Sequence, residues 1–355
     1  MKNLLPQIVH IKQLLTEHFQ SLEAKLRLQF QDKKFGNPKD LYFILNKIEE
    51  FRKELENILT SPIRHLNQNP PGEEIFENLT CFNLRKKYHK LSLGLRSEEV
   101  DPFGYDPIFD TFVTPLLDFL YVKYWRVETE GVSHVPEKGP VLLVGNHSGV
   151  LPYDATMLKV ALQREHHMHR TLRFTVEDFL FHLPFLGSLM NRFGGVRACQ
   201  ENAQHLLENN HPVVVFPEGV KGLGKLYRSK YQLARFGRGG FIRLCLRTRT
   251  PLVPVAFIGP EEIHPLLTKE KFFAQTLGLP YLPITWTFPW LGALGLIPLP
   301  SKWNICVLPP ICFSEFGPGA EKDRVLVYKM ATHVKELIQD TLNEKLKKRQ
   351  SIWFG

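Results

Sequence analysis

The stretch Pro140-Val-Leu-Leu-Val-Gly145-Asn146-His147-Ser148-Gly149-Val150-Leu151-Pro152-Tyr153-Asp154 decides how this chain is read. It opens as a short apolar run bounded by turn residues, the pattern of a strand buried on both faces. A loop carrying a histidine and an aspartate comes next, and then a helical pattern over residues 155–163. Similar apolar runs recur at residues 212–216 and 252–257, with another helical pattern at 202–208. Strands alternating with helices predict an α/β sheet. In such sheets chemistry gathers beyond the carboxyl ends of the strands, so functional residues are sought in the loop that leaves each strand.

Working outward, the chain has 355 residues, 43% of them hydrophobic, enough to bury a full-sized core. Apolar residues at Ile8, Ile11, Leu15, Phe19, Leu22 and Leu26 recur three or four apart. Leu41, Ile44, Ile48, Phe51, Leu55 and Ile58 do the same after a Gly36-Asn37-Pro38 break, which predicts an N-terminal helical hairpin. Two amphipathic stripes need only each other and a core, so a structural appendage is favoured over a docking module. Residues 109–124 read as a helix and 125–130 as a strand. The expected organisation is an appendage and linker over 1–104, an α/β domain over 105–320, and a C-terminal helix with a basic and aromatic tail over 321–355.

The balance is basic, 45 Lys and Arg against 36 Asp and Glu, which favours anionic partners. Five cysteines without a CxxC pair argue against a disulfide framework or structural zinc, and fit a reducing compartment. The amino terminus lacks the features of a secretory signal. One apolar stretch, residues 281–299, approaches spanning length, but Pro283, Pro289 and Pro298 interrupt it. It reads as a buried or interfacial loop. The tail joins Lys345, Lys347, Lys348 and Arg349 to Trp353 and Phe354, a composition suited to a membrane interface or to a packed terminus.

His147 and Asp154 carry the chemistry of the first loop. A histidine titrates near neutrality and can take a proton from an alcohol, while a carboxylate on its other ring nitrogen fixes the tautomer. Asp154 is also placed to cap a helix beginning at Ala155. For the pair alone, a structural role stands level with catalysis. After the second strand, Phe216-Pro-Glu-Gly-Val-Lys-Gly222 supplies glycines whose amides can approach an anion, with Lys221 and Lys225 as positive charge. Its spacing is not that of a nucleotide P-loop. Gly194-Gly-Val-Arg197 offers an arginine suited to bidentate phosphate contact. Ser148 beside His147 does not form the GxSxG of a serine hydrolase. His166, His167 and His169 read as an exposed helix end, and the basic run from Lys225 to Arg249 as a solvated face or an anionic-lipid contact. No nucleic-acid-binding motif accompanies that charge, so nucleic acid is not an expected partner.

In order, NHSGVLPYD, GGVR, FPEGVKG and LVPVAFIG resemble the four blocks of the PlsC-like glycerolipid (lysophosphatidate-type) acyltransferases over roughly residues 120–315. NHSGxLPxD looks like a divergent branch, with six residues between His147 and Asp154 where the common block has four. The resemblance implies a mixed, largely parallel sheet flanked by helices, with His147 as general base and Asp154 as its partner. It also implies that Arg197, Glu218, Gly219 and Lys221 bind the acceptor, and that Pro254 lies on a strand lining the site. Lys221 stands where the family has arginine, which weakens a bidentate phosphate contact. The expected reaction moves a fatty acyl group from acyl-CoA or acyl carrier protein to a lysophospholipid or other lipid alcohol. The resemblance implies no metal or redox cofactor, and a peripheral or monotopic place on the cytoplasmic face of a membrane. Acylation of diacylglycerol or a long-chain alcohol, or lipid binding without turnover, are the alternatives.

Overall fold

A computed structural model describes residues 100–355, apart from 149–151, 183–185, 271–273, 275–279 and 318, together with five earlier positions. The chain divides into one unit over Met1–Lys87 and another over Tyr88–Gly355. In the first, Gln20, Ala24, Asn46, Glu49 and Lys53 are helical. The expected hairpin and linker otherwise lie outside the described residues.

The second unit is built on a seven-stranded sheet. Its strands come from β1 (Glu128–Glu130), β2 (Val141–Gly145), β3 (Arg173–Val176), β4 (Gly195–Arg197), β5 (Pro212–Val215), β6 (Leu252–Ile258) and β9 (Asn304–Val307). A separate antiparallel hairpin pairs β7 (Leu266–Glu270) with β8 (Leu282–Thr285). The main sheet runs β1-β9-β6-β2-β5-β3-β4. All its pairings are parallel except β6 with β9, so the sheet is mixed and largely parallel, as expected. The five main helices are α1 (Pro107–Phe119), α2 (Tyr153–Glu165), α3 (Gln200–Glu208), α4 (Gly240–Thr248) and α5 (Arg324–Lys348).

Strand β2 is buried at every position because β5 and β6 flank it and a core lies on each face. Val141 and Leu143 join the cluster that includes α2, while Leu142 and Val144 join the one that includes α4 and α5. Pro254 sits in β6 without damaging the β2 ladder. Its carbonyl points toward the end of β9, accepting the Leu308 N–H at 2.9 Å, and its missing donor would face the same way.

Helix α2 is buried along residues 154–162, a run that includes two charged side chains. One of them, Lys159, donates to Asp110 Oδ1 and to the Phe193 carbonyl, each at 2.7 Å, and lies 3.8 Å from the Phe193 ring. Burial pulls its ammonium down to about 8, against the opposing pull of Asp110. Asp110 also accepts from the Tyr105 hydroxyl at 2.7 Å. This polar knot ties α1 to the middle of the helix that carries Asp154.

Several expectations change. Helix α1 begins at Pro107, capped by Asp106, and passes into a π-helical turn over Leu120–Tyr124. Asp154 is no cap: α2 starts at Tyr153, two residues before the expected Ala155, and Asp154 lies within its first turn. His166 is buried, bonded through Nε2 to the Val135 carbonyl at 2.9 Å, while His167 and His169 are exposed. Of the two fates left open for the tail, Arg349 takes the packed one. It forms a two-pronged pair with Glu262, both contacts at 2.8 Å, because the chain after α5 folds back against residue 302.

Asp110→Ala leaves the buried Lys159 charge without its carboxylate and is expected to cost about 3–5 kcal/mol of stability in denaturant unfolding. Adding Lys159→Met should restore most of that loss. An additive double mutant would contradict the pairing.

Candidate active site

Strands β6, β2 and β5 lie side by side and run parallel, so their carboxyl ends open at one edge of the sheet. The loops that leave them carry Gly259 to Glu262, Asn146 to Ser148, and Phe216 to Gly219. Asn146 fixes the first exit. Its amide donates to the Phe257 carbonyl at 3.0 Å and accepts the Phe257 N–H at 2.8 Å, continuing the β2–β6 pairing through a side chain.

His147 comes next, only 6% exposed, its ring stacked on Phe216 at 4.3 Å. His147 Nδ1 lies 2.7 Å from Asp154 Oδ2, which also accepts the Ser148 N–H at 3.1 Å. Asp154 Oδ1 accepts the Ala155 N–H at 2.8 Å. A carboxylate held by two amides can only accept from the ring, so in the neutral imidazole Nδ1 carries the hydrogen and Nε2 the lone pair. The lengthened loop thus still brings the pair together.

Glu218 turns inward and is almost fully buried. Oε1 accepts the His147 N–H at 3.1 Å, and Oε2 accepts the Ala234 N–H at 2.7 Å. Lys225 Nζ lies 3.3 Å from Glu218 Oε2 and 3.0 Å from Glu261 Oε1. One buried cation therefore bridges two buried carboxylates, and one of these holds the backbone of His147. The glycines of FPEGVKG answer to the same crowding. Gly219 has φ +55° and ψ −147°, a conformation essentially reserved for glycine. A Cβ at Gly222 would come within 2.7 Å of Glu218 Cβ and 3.1 Å of His147 Cβ.

The expected phosphate-binding side chains stand apart. Arg197, at the end of the edge strand β4, is exposed and forms a two-pronged pair with Asp178 at 2.6 and 2.8 Å. Lys221 is exposed on the short helix Val220–Leu223. Of the six residues singled out, His147, Asp154, Glu218 and Gly219 belong to one tight cluster. Asn146, Lys225 and Glu261 were not singled out as site residues. Lys225 read both as positive charge for an anion and as part of a basic run; here Glu218 and, through the non-local approach of β6, Glu261 take up its charge. Glu177, at the end of β3, is another addition: burial raises its carboxyl above the ordinary range, while the nearby His147 pulls it down. A larger open cleft, lined by Arg126, Glu128 and Lys302 among others, contains none of these residues.

The arrangement is an acid–base pair at the strand ends of an α/β sheet. The family model described as Acyltransferase matches residues 126–258, which contain the first three motifs, the fourth up to Ile258, and the whole cluster except Glu261. The chain is 46% identical over 257 residues to an uncharacterized protein of Mycobacterium tuberculosis, covering 72% of each chain. It is 26% identical over 167 residues to the bovine (Bos taurus) DGAT1/2-independent enzyme synthesizing storage lipids, covering 46% of this chain and 48% of the other. A crystal structure of the 1-acyl-sn-glycerophosphate acyltransferase PlsC from Thermotoga maritima aligns with a TM-score of 0.44 at 17% identity, over 68% of this chain and 83% of that one. The chain belongs to one family with the mycobacterial protein, and its residues 126–258 match the Acyltransferase family model.

Burial pushes the Glu261 carboxyl up to about 7 from 4.5, with Lys225 pulling the other way. Between those values the unfolded chain has released a proton that the folded chain keeps. Relative to Glu261→Gln, the wild type should therefore lose stability as pH rises through this window and level off above it. Denaturant unfolding of both proteins at about pH 5 and about pH 8 measures the difference. Parallel behaviour would contradict the burial of an ionisable Glu261.

Proposed function

We propose that the chain transfers a fatty acyl group from a thioester donor, acyl-CoA or acyl carrier protein, to the hydroxyl of a lipid. The observation that carries this reading is the 2.7 Å contact between His147 Nδ1 and Asp154, which leaves Nε2 as the basic nitrogen. The acceptor hydroxyl gives its proton to Nε2 as its oxygen attacks the thioester carbonyl. The C–S bond then breaks, and the departing sulfur takes the proton back from the imidazolium. Asp154 steadies the positive ring between the two events. No acyl-enzyme is needed.

A lysophospholipid or other glycerolipid is the acceptor that the motifs suggest. A specific observation favours a second reading, an uncharged lipid alcohol. Arg197 is already neutralised by Asp178, and Lys225 is already shared by two carboxylates, so neither presents a net positive charge to a phosphate. Relatives named for storage lipids and as phytyl ester synthases agree with it.

A membrane surface is the proposed place of work, in a peripheral or monotopic arrangement. Among the described residues no helix is long and apolar enough to cross a membrane. The segment after β8 exposes Trp286, Trp290, Leu291, Leu296 and Ile297, with Trp290 at 70%. Phe354, in the tail after α5, is 84% exposed. Aromatic and aliphatic side chains of this kind suit the polar boundary of a bilayer.

His147→Ala is expected to lower acyl transfer by about a hundred- to ten-thousand-fold with the fold retained. Radiolabelled acyl-CoA offered with lysophosphatidate, diacylglycerol and a long-chain alcohol measures this and ranks the acceptors. Undiminished transfer by the folded variant would overturn the proposed role of His147.

A further inference from the structure

We propose that Glu177 selects the acceptor by charge, turning away lipids that carry a phosphate or another anion beside the hydroxyl to be acylated. The inference rests on the acyl-transfer reading above and names the substrate class of that same site.

Glu177 is the first residue after β3, which pairs in parallel with β5. The two strands therefore deliver Glu177 and the Phe216-to-Gly219 turn at the same edge of the sheet. The backbone at this corner is held on both sides. The Val176 carbonyl accepts the Ala198 N–H at 2.9 Å, and the Glu177 carbonyl accepts the Leu180 N–H at 3.1 Å. From there the side chain reaches the exit of β5. A Cβ at Gly219 would stand 3.2 Å from Glu177 Oε1, so the carboxylate lies against the face of Gly219 that a side chain would occupy. Gly219 adjoins Glu218, whose Oε1 accepts the His147 N–H.

The Glu177 side chain is half-buried, and among the described residues no hydrogen bond or ion pair occupies its carboxylate. Burial raises this carboxyl above the ordinary range, His147 pulls it down, and Asp178 pushes it up again. The other charged groups on the neighbouring elements do not cancel it. Asp154 is held against the ring of His147, and Lys225 is shared by Glu218 and Glu261. Arg197 is paired with Asp178, and Lys221 is exposed on the short helix beyond Gly219. A negative charge is thus left facing the imidazole with no cation bound to it.

That charge acts without contact, because Coulomb energy falls only slowly with distance. It steadies the imidazolium and opposes any second anion. In a 1-acylglycerol-3-phosphate the phosphate is a few bonds from the acceptor hydroxyl. With that hydroxyl at His147 Nε2, the phosphate lies in the field of Glu177 whichever way it points. A hydroxyl in place of the phosphate meets no such repulsion, and repulsion of one candidate is enough to discriminate between two.

Binding without an acyl donor reads the selection apart from turnover. The full-length protein is titrated by calorimetry with 1-monooctanoylglycerol and 1-octanoylglycerol-3-phosphate. The wild type is expected to bind the uncharged lipid more tightly. Glu177→Gln should raise the affinity for the phosphate ester, relative to the uncharged lipid, by at least about tenfold. Salt at about 0.5 M should narrow the wild-type gap, which a change of shape alone would not do. Nitrogen-15 titration should show the His147 pKa falling in Glu177→Gln, since the imidazolium loses a stabilising charge. Tighter binding of the phosphate ester by the wild type, an unmoved ratio in the variant, or an unmoved His147 pKa would overturn the role of Glu177. The wild type's own order and its salt dependence decide the matter if the variant does not fold. Absence of acyl transfer to either lipid would instead overturn the acyl-transfer reading and leave the binding comparison standing.

Discussion

A carboxylate with no exposed surface has to find all its partners inside the protein, and Asp154 finds them in three places. It holds the ring of His147, the amide of Ser148 and the amide of Ala155. Losing any of these partners would leave part of a buried charge unsatisfied, which is costly in a low-dielectric interior. The loop from β2 to α2 is thus bound to its own far end. That closure fixes the direction of the imidazole and the hydrogen on its Nδ1, and with them the basicity of Nε2.

The surroundings of the loop are set by parallel strands that end together. Asn146 extends the β2–β6 ladder, Glu218 comes from the end of β5, and Glu261 from the end of β6. Lys225 joins the last two. Its charge is needed because two acidic side chains cannot be buried near one another without a counterion. The proposed chemistry therefore depends on a cation that need not touch substrate.

Part of this was legible in the chain. A strand buried on both faces has to be apolar throughout, so β2, β5 and β6 stood out as uninterrupted runs between turn residues. His147 and Asp154 were legible because they lie on one short loop. Strands β3 and β4 were missed, being four and three residues long, with Arg173 and Arg197 among them. The arginine of GGVR looked like a phosphate ligand because Asp178 is nineteen residues away, and only the pairing of β3 with β4 brings the two together. His166 looked exposed, and Lys225 looked open to an anion, for the same reason. Each is buried by a partner far along the chain. The same holds for His264, whose carbonyl partner is thirty-two residues on. Local pattern reports the strands well and the fate of polar side chains poorly, because burial of a charge is decided by who arrives beside it.

The most direct measurement is of the hydrogen itself. Nitrogen-15 NMR of histidine-labelled protein, with the His147 signals assigned by their loss in a His147 variant, reads which ring nitrogen carries the proton. The expected result is a protonated Nδ1, with a downfield hydrogen shared with Asp154, and an unprotonated Nε2 in the neutral ring. A neutral His147 protonated on Nε2, with no coupling to Asp154, would contradict the pairing on which the proposed chemistry rests.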